Sequence, residues 1–260
     1  MAVGPTHQKK RRRFQPQGRS MTETEWLTIT SPRRMLEHLA AWVTDRKMRL
    51  FGVACCRSIG HLLAHDLLAT AVSVAEALAD GDVSAGEADL AYLAAAEVDG
   101  EQLPGVPPAV GYHAARAAVN LLPPGDLIRV WEDVALAAEG DALARQGAPP
   151  EVFDAWAEQT AESGRPLGWV TADAEGRVAD ILRCHFNPFR TVARGGPWVT
   201  PAAVTVARDC YHRRDFSTLP LLADLLEEAG CPEQRVLDHC RSGDEHARGC
   251  WAVDLVLGKG

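Results

Sequence analysis

Five residues of the kinds that bind transition metals crowd one stretch near the C-terminus: Cys231, His239, Cys240, His246 and Cys250. Thiolate sulfur and imidazole nitrogen are the ligands zinc prefers. His246 and Cys250 stand four apart, so on a continuous helix they would project from one face. Against ligation, the stretch holds no C-x-x-C knuckle, and its spacings match no zinc finger or ribbon. Two of the thiols also continue apolar faces: Cys240 is in register with Val236 and Leu237, and Cys250 with Val253 and Leu257. The sequence therefore favours packing. No metal and no cofactor is expected, and these five residues are the candidates should a metal be held. Asp254 follows on the same expected helix, where burial would require a cationic partner such as Arg241 or Arg248.

Other groupings carry less. His61 and His65 are four apart, but Leu62, Leu63 and Ala64 lie between them where a zinc protease carries glutamate. They read as surface or helix-end histidines. Cys55 and Cys56 point about 100° apart on a helix, which suits neither a shared metal nor an unstrained bond. Asp80-Gly81-Asp82-Val83-Ser84 begins like a calcium loop, yet Ala85 and Ala91 stand where that loop needs glycine and a bidentate glutamate. A turn followed by the capping box Ser84-Ala85-Gly86-Glu87 explains it better. No phosphate-binding glycine loop, dinucleotide fingerprint or nucleophile elbow occurs, so no catalytic residue is assigned.

The elements that must position these groups are helical. Alanine, leucine, arginine and glutamate dominate and β-branched runs are scarce, which excludes a β-sandwich. Thr22-Glu23-Thr24-Glu25 is a capping box, and Ser31-Pro32 and Thr200-Pro201 each put a capping side chain before a proline suited to the first helical position. Further helices are expected over 45–63, 67–79, 85–98, 108–121, 126–139, 150–162, 172–184, 200–212, 218–229, 233–241 and 245–257. In the first of these Gly52, Cys56 and Gly60 form a small-residue stripe fit for close helix approach. Asn187-Pro188 and Gly195-Gly196-Pro197 bracket the best candidate for an internal boundary.

With 47% hydrophobic residues a core is readily built, while no stretch approaches the roughly 20 apolar residues of a membrane span. The net charge of −8 is uneven: residues 1–20 carry Lys9, Lys10, Arg11, Arg12, Arg13 and Arg19 and no acid, so the remainder stands at −14. So acidic a body repels nucleic acid, leaving nonspecific contact through the basic tail. The seven cysteines, without paired spacing or an apolar leader after the tail's charges, point to a reducing cytoplasm.

Several landmarks coincide with a known pattern. Met21-Thr22-Glu23, Trp26-Leu27, Asp45-Arg46-Lys47, Arg49-Leu50-Phe51 and Cys55-Cys56-Arg57 lie near the start. Asn187-Pro188-Phe189-Arg190, Glu227-Glu228-Ala229-Gly230-Cys231, His239-Cys240-Arg241 and His246-Ala247-Arg248-Gly249-Cys250-Trp251 lie near the end. In these segments the chain resembles a family of bacterial proteins of unknown function, abundant in planctomycetes. The resemblance covers both ends of residues 21–260, departs from the pattern at Cys184-His185, and implies an architecture without implying catalytic residues.

The expectation is an all-α multi-helix bundle or irregular helical array. Residues 1–20 form a basic disordered tail, 21–190 an alanine-rich helical region, and 191–260 a C-terminal helical region docked on it. The expected function is a non-enzymatic cytoplasmic module that binds another protein. The alternatives are an enzyme with an unrecognised site and a structural zinc protein using the C-terminal cluster.

Overall fold

The computed structural model describes residues 21–40, 43–123, 125–161, 172–192 and 195–259. The basic tail over 1–20 lies outside them. Among the described residues the fold is all-α, thirteen helices and no strand.

Helix starts follow the local chemistry. Thr22 and Glu25 form the expected capping box ahead of α1 (Glu23–Thr28). Pro32 opens α2 (Pro32–Leu39), but Ser31 makes no side-chain cap bond. Thr44 caps α3 (Asp45–Ser58) by accepting from the Lys47 amide. His65 caps α4 (Asp66–Asp80), which ends on Gly81 in the left-handed conformation (φ 79°). Ser84 and Glu87 then box the start of α5 (Ala85–Ala96), as the turn-plus-cap reading requires.

α6 (Pro108–Asn120) and α7 (Leu127–Arg145) pack as an antiparallel pair on α3, followed by α8 (Pro150–Ala161) and α9 (Ala172–His185). Their core joins Phe51, Leu68, Leu121, Leu122, Trp131 and Leu182 to many fully buried alanines. Alanine lets helix axes approach, and Gly52 shows how closely: a Cβ there would lie 2.8 Å from Leu121 Cδ2. The small-residue stripe stops short of Gly60, which faces open space.

A second apolar cluster is built by α10 (Pro201–Arg213), α11 (Leu219–Glu228), α12 (Gln234–Arg241) and α13 (Trp251–Leu257), centred on Tyr211, Leu222, Leu226, Val236 and Val253. Cys184 belongs to this cluster although α9 otherwise packs into the first. The last helix begins later than periodicity implies. Residues 242–249 form an irregular loop, and Cys250 is the residue that caps α13. Gly249 explains the break: its φ of 90° belongs to the left-handed region, which a helix cannot continue through.

Candidate metal centre

Three of the five candidate ligands converge, and a fourth joins from far up the chain. One ligand atom each from Cys184, His239, His246 and Cys250 lies within 4.8 Å of every other. Cys184 comes from the last turn of α9 and His239 from the last turn of α12. His246 sits in the loop and Cys250 at the α13 N-terminus. His246 and Cys250 therefore do not share a helical face; the loop folds back to bring them together.

The donor atoms are turned toward one another. His239 Nε2 is 3.2 Å from Cys250 Sγ. His246 Nδ1 is 3.8 Å from Cys184 Sγ and 4.0 Å from Cys250 Sγ. A tetrahedral zinc with bonds near 2.3 Å to sulfur and 2.0–2.1 Å to nitrogen needs donor separations of roughly 3.3–3.8 Å. The set fits after a contraction of about 1 Å at its widest pair. Cys184 and Cys250 are buried and the two histidines half-buried.

Electrostatics agree with the geometry. Burial raises the Cys250 thiol, but hydrogen bonds from Cys184 and His239, together with the His239 and His246 rings, pull it well below the ordinary thiol range. Cys184, which hydrogen-bonds Cys250 and is itself buried, is pushed well above it. A lowered thiol facing a second thiol and two imidazoles suits a cation, because thiolate is the metal-binding form.

The surroundings hold the two cysteine backbones in place. Lys47 Nζ donates to Gly249 O at 2.7 Å and to His185 O at 3.2 Å, the carbonyls adjoining Cys250 and Cys184. It also pairs with Asp254 at 2.6 Å. Asp254 is indeed buried, but its partners are Arg46 and Lys47 on α3; Arg241 instead pairs with Asp224 and Glu227, and Arg248 with Glu76 and Asp80. Arg46 also bonds Asp80 and the Tyr211 hydroxyl, so one ionic cluster joins α3 and α4 to α10 and α13.

The remaining sequence candidates lie elsewhere. Cys240 is fully buried in the second core beside Val236 and Leu237, as its periodicity requires. Cys231 Sγ approaches Glu233 O at 4.0 Å, outside the cluster. His185, next to Cys184, is not a ligand: its ring nitrogens face Ile181 O and Arg248 O at 2.9 and 3.0 Å. His61 pairs with Asp141 near the surface and His65 caps α4, so those two serve as surface and helix-end residues. Cys184 is the member that local spacing could not reveal, since its partners lie on α12, the following loop and α13.

No helix among the described residues is long and apolar enough to cross a membrane. The chain matches no family model, no curated protein and no solved structure. Function is therefore argued from the site itself.

Proposed function

We propose that this chain is a zinc-binding helical protein in which Cys184, His239, His246 and Cys250 hold one structural Zn2+. The convergence of four donor atoms within 4.8 Å carries this reading. Two sulfurs and two nitrogens suit zinc better than calcium or magnesium, which take oxygen. Four protein ligands leave no open coordination position, so the site fits a structural role and not a hydrolytic one.

The mechanism is mechanical. Cys184 is anchored in α9, while the other three ligands come from α12, its loop and α13. A bound ion fastens the small C-terminal core to the larger body at the point where Lys47 already aligns both cysteine segments. Seven free cysteines suit a reducing compartment such as the cytoplasm, where these thiols stay available to metal. The protein-binding reading has less support, resting on scattered exposed leucines such as Leu27, Leu90 and Leu93.

Elemental analysis of the purified full chain tests the proposal. One zinc per chain is expected, retained in Cys240→Ala and lost in Cys184→Ser and Cys250→Ser. A chain that takes up no zinc when titrated with it, or whose zinc survives both serine substitutions, overturns it.

A further inference from the structure

Beside the metal cluster lies a half-open cavity of about 260 Å³ whose walls come from α3, α4, α9, the turn after α10 and the loop before α13. Three guanidiniums line it. Arg57, Arg214 and Arg248 all converge on one oxygen, Oε2 of buried Glu76. Each guanidinium has five N–H groups. Among the described residues Arg57 uses one on Glu76, Arg214 two and Arg248 one, and Arg248 is also ion-paired with Asp80 at 3.3 Å. The donors outnumber the acceptors, and Arg57 and Arg214 keep 35% and 45% of their side chains exposed. Glu245 is the second carboxylate of the lining, and Arg248 is shared with Asp80, so Arg57 and Arg214 are the guanidiniums with donors to spare.

Arg214 is held there against its backbone preference. It is the one non-glycine residue with positive φ among those described (55°), at a helix end where glycine is the usual occupant. The left-handed cap turns its guanidinium onto Glu76. The lining also holds apolar side chains, partly buried Ile181 and Phe216 among them.

We propose that this cavity is a binding site for a small monocarboxylate with an apolar body, its carboxylate taken by Arg57 and Arg214 and its body laid against Ile181 and Phe216. A carboxylate matches the guanidinium fork, and the apolar part of the lining suits a ligand with an apolar body better than inorganic phosphate. The volume sits just below the ~300 Å³ at which small-molecule pockets begin, which restricts the ligand to a ring or a short chain. The arginines and Glu76 are not metal ligands, but Cys184 and His246 also line the cavity, so titration with and without zinc separates the two sites.

The test is calorimetric titration of the full chain, with and without added zinc, using benzoate and hexanoate as probes. Acetate supplies the head alone, benzyl alcohol the body alone, and inorganic phosphate the competing anion. Benzoate or hexanoate is expected to bind once per chain. Acetate, benzyl alcohol and phosphate should each bind at least about tenfold more weakly. Arg214→Gly suits the left-handed backbone and should fold with unchanged helicity, yet weaken the better probe at least about tenfold, and Arg57→Gln should do the same. Failure of both probes to saturate by ~10 mM, phosphate binding as tightly as either, or wild-type affinity in both variants overturns the proposal.

Discussion

The two cores of this protein are stabilised in different ways. The larger, from α1 to α9, closes on apolar contact: Phe51, Leu68, Leu121, Leu122 and Trp131 interlock with alanines that let helices approach. Of its buried polar groups, Asp133 is matched within the same body by His113, Asn120 and Arg116. The smaller core, from α10 to α13, is interrupted on one side by the cysteine and histidine cluster and on another by the Asp80–Asp254 ionic cluster. A helical unit of that size buries too little apolar area to be secure alone, and small units commonly recruit a metal or a larger neighbour. With zinc bound as proposed, both devices would meet at one seam, since α9 and α3 supply Cys184, Arg46 and Lys47.

That contrast is most directly broken by removing the metal. Chelation of the zinc-loaded chain, or Cys250→Ser, should destabilise α12 and α13 by on the order of 5 kcal/mol, because metal binding at a site assembled only on folding is folding free energy. Hydrogen exchange should show protection lost in 234–257 and kept in α3, α6 and α7. Uniform loss along the chain would mean the two cores are one cooperative unit. Next in size is Asp254→Ala, which leaves half-buried Arg46 and Lys47 without their shared carboxylate. A loss of about 3–5 kcal/mol is expected in denaturant melts. Gly249→Ala combines a φ of 90° with a Cβ 2.9 Å from both His185 Cδ2 and Leu50 Cβ. It should cost about 1–3 kcal/mol and weaken zinc retention in a competition assay with a chromophoric chelator.

Acid should act on the ionic seam. Burial raises Glu76 and Asp80, but the Arg57, Arg214 and Arg248 guanidiniums outweigh it at Glu76, and Tyr211, Lys259 and Arg46 do so at Asp80, so both carboxyls lie below their ordinary values. A depressed folded-state value contributes stability that is fully present above the unfolded value, near 4.5 for Glu and 3.8 for Asp, and is lost as pH falls through the folded one. Stability from this pair is therefore flat from neutrality to about pH 5 and falls below it. Glu76→Gln should flatten that fall in melts recorded between pH 3 and 6, a range spanning roughly the ordinary carboxyl values. The smallest effect belongs to Cys240→Ala, about 1 kcal/mol from a small cavity, with zinc content unchanged.

Most of the helical frame was legible from local chemistry, because capping residues and prolines act over three or four positions. Thr22, Ser84 and Thr200 mark true starts. Ser31 sits before a real helix without capping it, which shows that the proline alone sufficed there. The start of α13 was not legible. Apolar periodicity runs back through Cys250, and only the positive φ at Gly249 stops it. The ligand set was readable in kind and not in membership. His239, His246 and Cys250 stood out by type, whereas Cys184 reaches them through the packing of α9 on the second core, a long-range event without local spacing. The partners of Asp254 were hidden for the same reason: Arg46 and Lys47 lie at the other end of the chain.

The zinc clasp is tested most directly by replacing the ion with Co2+, whose visible spectrum reports geometry and ligand type together. The account predicts one Co2+ per chain with the intense d–d bands of a tetrahedral centre and sulfur-to-metal charge transfer. Cys184→Ser should weaken the charge transfer and Cys231→Ser should leave it unchanged. A weak octahedral spectrum, or charge transfer indifferent to Cys184, would contradict the claim that α9 and the C-terminal helices share one metal.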